Sequence, residues 1–157
     1  MRWYADARVL AASLAAGTPY TVAQTAGVIA CLSPNVKWAQ NVRAATVLVS
    51  AHLAGASCES VRVGLRASVE RAWRVLDGDL EAIAGPKVRP FWLAMLGDTE
   101  AVVLDVWAFR AAARRDYASG ALRADVERAY REGAQRVGVS PREFQATVWV
   151  AVRGSAS

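Results

Sequence analysis

Apolar positions fall on helical spacings along nearly the whole chain. Trp3, Ala7, Leu10 and Leu14 share one helical face, and Gly17-Thr18-Pro19 closes that segment. A second helix is predicted from Pro19 to Leu32. It is apolar on most sides (Val22, Ala26, Ile29, Leu32), the pattern of a central buried helix. Ser33-Pro34 reads as a capping hydroxyl followed by a first-turn proline, which predicts a third helix from Pro34 to about Leu53. After a loop from Gly55 to Ser60, a further helix runs to about Leu76. Asp77-Gly78-Asp79 then turns the chain, and Leu80 to Ala84 makes one helical turn. Gly85-Pro86 redirects it into an apolar helix from Val88 to Leu96. Asp105 starts the next helix, to about Arg115, and Leu122 to Val137 is amphipathic. Ser140-Pro141-x-Glu143 is a capping box that opens the last helix, to about Arg153. Only Ala101 to Leu104 has the look of a strand. The expectation is an all-α fold of about eight helices, forming one domain over residues 1–157.

Composition narrows the class. Hydrophobic residues make up 54% of 157, which excludes a disordered chain. No apolar run reaches the roughly 18 residues of a membrane span. The N-terminus carries charges where a signal peptide would need apolar residues, so an intracellular, cytoplasmic protein is expected. With two cysteines, Cys31 and Cys58, and one histidine, His52, neither a metal cluster nor a cofactor is expected. The net charge of +5 suits either a polyanion such as DNA or merely a soluble basic surface.

Only two of the 19 basic residues are lysines, Lys37 and Lys87. That matters chemically, because lysine can be tuned to a neutral amine nucleophile and arginine cannot. Lys87 lies in a Gly-Pro-Lys turn, and Asp105 follows eighteen residues later. A neutral lysine can attack an electrophilic sugar carbon, and a carboxylate can stabilise the positive charge of a ribosyl oxocarbenium. The plainer readings are a solvated turn lysine and a helix N-cap. Asn35, Lys37, Gln40, Asn41 and Arg43 cluster near the start of the third helix. They form either a solvated helix end or a DNA-facing rim.

The order of these motifs resembles the helix-hairpin-helix DNA glycosylase superfamily. Val28-Ile29-Ala30-Cys31-Leu32-Ser33-Pro34-Asn35 is similar to the family's apolar-Leu-Ser-x-Gln/Asn pattern, and Asn41-Val42-Arg43-Ala44-Ala45 continues it. Leu80-x-x-Ile83-x-Gly85-Pro86-Lys87 and Leu104-Asp105-Val106-Trp107-Ala108-Phe109-Arg110 stand where the family has its hairpin and its Val-Asp-x-His-x-x-Arg stretch. The resemblance covers about Ala23 to Arg115 and is closest to short, phage-encoded members. The hairpin is shorter here, Trp107 replaces the histidine, and the C-terminal cluster cysteines are absent.

The resemblance implies that Lys87 and Asp105 are catalytic and that Asn35 fills the gap left by an extruded base. It makes Gly85 and Arg89, on either side of Lys87, DNA contacts together with Asn35, Lys37 and Asn41. Trp107 would wall the pocket for the flipped base. The activity implied is excision of a damaged or modified base, with or without abasic-site lyase activity. Two other classes fit the same residues: a non-catalytic DNA-binding protein on this fold, and an enzyme that reworks hypermodified bases in phage DNA.

Overall fold

In a computed structural model, which describes residues 3–117 and 119–154, the chain is all-helical. The described residues contain eight α-helices and no strand. They are α1 (Trp3–Ala15), α2 (Val22–Leu32), α3 (Trp38–Leu53), α4 (Arg66–Leu76), α5 (Val88–Leu96), α6 (Val106–Ala113), α7 (Gly120–Val137) and α8 (Pro141–Arg153). Short 3-10 turns at Cys58–Ser60 and Leu80–Ala82 complete the described secondary structure.

The helix α2 is the hub, packed by α1, α3, α4 and α5. Every residue from Thr25 to Leu32 is buried, as the all-round apolar pattern predicted. Gly27 allows the closest approach. A Cβ there would lie 2.5 Å from Ile83 Cδ1 and 2.9 Å from Val75 Cγ1. The missing side chain thus lets α4 and the chain leading to Lys87 press against α2. Polar ties reinforce this core. Tyr20 Oη and Asp77 Oδ1 hold the two ring nitrogens of His52, at 2.7 and 2.9 Å, and so link the segment before α2 and the end of α4 to α3.

Two predicted helix starts move. The helix α2 begins after Thr21, whose hydroxyl accepts from Gln24 N–H while Gln24 Oε1 accepts from Thr21 N–H. This capping box satisfies more backbone donors than Pro19 could. Nor does Ser33 open α3: its hydroxyl donates back to the Ala30 carbonyl at 2.8 Å, so it ends α2. Asn35 then takes a left-handed backbone, φ 60°, which breaks the helical path until Lys37. The helix α6 stops at Ala113 because Arg114 is also left-handed, φ 53°.

The strand-like run Ala101 to Leu104 is an extended connection with an internal logic. Ala101 and Val103 enter the core built around α2. Val102 and Leu104 enter a second apolar cluster with Ala108, Phe109, Val126 and Tyr130. The period of two in an extended backbone sends alternate side chains to opposite sides, so four residues stitch two cores together. Asp105 sits at the end of this stitch.

Candidate active site at Lys87 and Asp105

Asp105 caps α6. Its Oδ1 accepts the backbone N–H groups of Trp107 at 3.0 Å and Ala108 at 2.9 Å. These are two of the donors every helix N-terminus leaves unsatisfied, and they fix the carboxylate to the helix. The other oxygen, Oδ2, accepts the indole N–H of Trp149 on α8 at 3.1 Å. The carboxylate is half-buried and held from two sides.

Lys87 is brought beside it by the turn before α5. The connection from α4 contains no full helix, only the 3-10 turn Leu80–Ala82, after which Ile83 is fully buried. Gly85 has φ 109°, a backbone that L side chains rarely adopt, and it bends the chain into α5. Arg123 on α7 donates a hydrogen bond to the Pro86 carbonyl and clamps the turn from outside. Lys87 itself is half-buried. Among the described residues its ammonium has no hydrogen bond and no ion pair within 4.0 Å. Burial pushes its pKa below the ordinary lysine value, and the nearby charge of Asp105 pulls it partly back. The two side chains singled out in the sequence therefore share one electrostatic neighbourhood without closing an ion pair.

The charge of Asp105 is felt on other sides as well. It raises the pKa of Tyr4 on α1, after the larger effect of burial, with Arg142 opposing. It also raises that of Tyr130 on α7, which burial and Asp105 together push up to about 12. Tyr4 Oη donates to Gln145 Oε1 on α8 at 2.8 Å, and Gln145 is buried. Tyr130 Oη donates to the Ala108 carbonyl at 3.3 Å. Arg142 fastens the start of α8 to the end of α5 through the Ala94 carbonyl at 3.1 Å. Asp105 thus lies where α1, α6, α7, α8 and the turn before α5 converge.

The remaining expected site residues separate into two groups. Asn35, Lys37, Gly85 and Arg89 are exposed. Arg89 is only loosely engaged, 3.8 Å from Glu81 and 5.9 Å from the Trp92 ring centroid. Asn41 is a correction. It is 1% exposed, and its amide donates to the Ile29 carbonyl at 3.1 Å, so it ties α3 to α2 from inside and offers nothing to DNA. Asn41 lies four residues before Ala45 and seven before Leu48, both fully buried, so it shares the inward face of α3. Trp107 is half-buried and carries the Arg110 guanidinium 4.9 Å over its ring, so that face is covered in the free protein. Arg110 is in turn paired with Asp116 at 2.6 Å.

Sequence reasoning missed Tyr4, Gln145 and Trp149. They come from the first and last helices, and apolar helical spacing made Trp149 look like ordinary core. The only available signal was local: Gln145 is a polar residue amid the apolar positions of α8. Among the described residues no helix is long and apolar enough to cross a membrane. No curated protein and no solved structure matches the chain. A family model matches residues 1–156, and the chain belongs to that family, described as a family of unknown function (DUF7178).

Proposed function

We propose that the protein is a DNA glycosylase that excises a damaged or modified base with Lys87 and Asp105. The observation that carries this reading is the half-buried, unpartnered Lys87 beside the oriented carboxylate of Asp105. A lysine without a partner, desolvated enough to lower its pKa, is what an amine nucleophile requires. In the reaction the bond from C1′ to the base nitrogen breaks, and its electron pair leaves with the base, which takes up a proton. The neutral amine of Lys87 donates its pair to C1′ and then loses a proton, giving a covalent amine adduct that opens to a Schiff base. Asp105, negative and fixed by three N–H donors, stabilises the oxocarbenium that develops at C1′. Gly85 and Arg89 flank Lys87 on the exposed side of the turn and would meet the DNA backbone, as would Asn35 and Lys37 on the loop between α2 and α3. Base stacking on the ring face of Trp107 that Arg110 covers would displace Arg110.

The test is a panel of duplexes, each with one modified base. Wild type should release a base from at least one of them. Lys87→Gln should lower that release by orders of magnitude while binding the same duplex within about twofold, since a single phosphate contact is a modest share of affinity. If wild type releases no base and both proteins bind DNA equally, the protein is a binding module on this fold. Release of a hypermodified base alone would assign it to phage DNA modification.

A further inference from the structure

We propose that Trp149 is a positioning residue for Asp105, and that its indole N–H selects which lone pair of the carboxylate meets the substrate. This rests on the glycosylase reading above. A carboxylate offers about four acceptor sites on its two oxygens. The helix cap takes two of them, both on Oδ1. That alone would leave Oδ2 with two sites and leave the carboxylate held through one oxygen. Trp149 Nε1 takes a third site at 3.1 Å, on Oδ2. One acceptor site remains, in a carboxylate plane fixed at both ends.

The surroundings suit a positioning role. The helix α8 is itself tied down near this point. Ser140 and Glu143 form its capping box, Arg142 bonds to α5, and Gln145 accepts from Tyr4. Gly133 on α7 lets it approach closely, since a Cβ there would sit 2.5 Å from Phe144 Cζ. Trp149, one turn beyond Gln145, therefore reaches Asp105 from a fixed base. Its N–H is a donor only and can never compete with the carboxylate for a proton.

The experiment compares wild type, Trp149→Phe and Asp105→Asn. On the modified-base duplex that wild type cleaves best, Trp149→Phe should lower the single-turnover rate of base release by about tenfold to a hundredfold, the usual worth of a hydrogen bond to a charged group. The KM should stay within about twofold, because the ring and its packing remain. A purely structural tryptophan would leave the rate at saturating substrate unchanged. A second readout needs no substrate and no Trp149 variant: in a 15N–1H spectrum, one indole N–H resonance of wild type should move in Asp105→Asn. Trp149→Phe turning over at the wild-type rate, or indole resonances that ignore Asp105→Asn, overturns this role alone. A wild type that releases no base from any duplex overturns the glycosylase reading and this role with it.

Discussion

Asp105 is a helix cap whose carboxylate is engaged through both of its oxygens. As a bare N-cap, asparagine would replace it at little cost. In this structure it cannot, because both oxygens are used: Oδ1 by Trp107 and Ala108, Oδ2 by Trp149. An asparagine has one oxygen, so whichever way its amide turns, an NH₂ meets an N–H. Asp105→Asn should therefore lose about 1–2 kcal/mol in urea denaturation, and adding Trp149→Phe should restore part of it. An Asp105→Asn protein as stable as wild type would mean the indole contact is absent in solution. Lys87 allows a prediction on pH. Burial disfavours its ammonium, so the folded-state pKa lies below the unfolded one. Its charged form opposes folding at low pH, and that penalty fades as pH rises towards the unfolded value of about 10.4. The nucleophilic amine grows over the same direction. The rate of adduct formation at an abasic site should climb with pH and level off below about 10.4. A rate still climbing beyond that point would contradict a desolvated Lys87. Both residues were legible in the sequence through motif spacing. Their partners Tyr4 and Trp149 were not, since no local pattern links the first or the last helix to residue 105.

At the scale of elements, polar punctuation marked most helices and failed where two signals competed. Ser140-Pro141-x-Glu143 opened α8 as expected. Ser33-Pro34 looked equally good, yet the Ser33 hydroxyl was already committed to the Ala30 carbonyl, and Asn35 took the left-handed turn. A hydroxyl can close one helix or open the next, and sequence alone does not show which carbonyl lies in reach. Asn41 faces inward with Ala45 and Leu48 wherever α3 begins, because the three share one helical face. The packing of α2 supplies a prediction at this scale. Gly27→Ala would gain up to about 1 kcal/mol of helix propensity. Its Cβ, however, would press on Ile83 and Val75, which are fully buried with nowhere to go. Overpacking of this kind costs about 1–3 kcal/mol, so the net effect should be a lower thermal midpoint. A midpoint equal to wild type or higher would show that α2 is not pinned against the chain leading to Lys87.

For the whole molecule, the all-helical class and a buried central helix followed from periodicity. The arrangement of two cores did not. The run Ala101 to Leu104 is apolar at every position, so its alternation between the two cores is invisible in the sequence. Long-range charge is likewise a property of the whole. Many arginines face carboxylates on the surface, among them Arg66, Arg74, Arg128 and Arg131, and exposed pairs of this kind add little stability. The excess of +5 remains to attract a polyanion. If roughly three to six phosphates are contacted, log affinity should fall against log salt with a slope of about −0.9 per phosphate. From about 50 to about 200 mM salt that is a loss of about 40-fold or more. Affinity that ignores salt across this range would remove DNA as the partner.

Borohydride trapping tests directly whether Lys87 acts as a nucleophile. Incubated with a duplex carrying a single abasic site and then reduced, wild type should form a covalent protein–DNA adduct. Peptide mapping should place the added mass on Lys87, and Lys87→Gln should form no adduct while still binding the duplex. An adduct mapped to another amine, or undiminished trapping by Lys87→Gln, would contradict it.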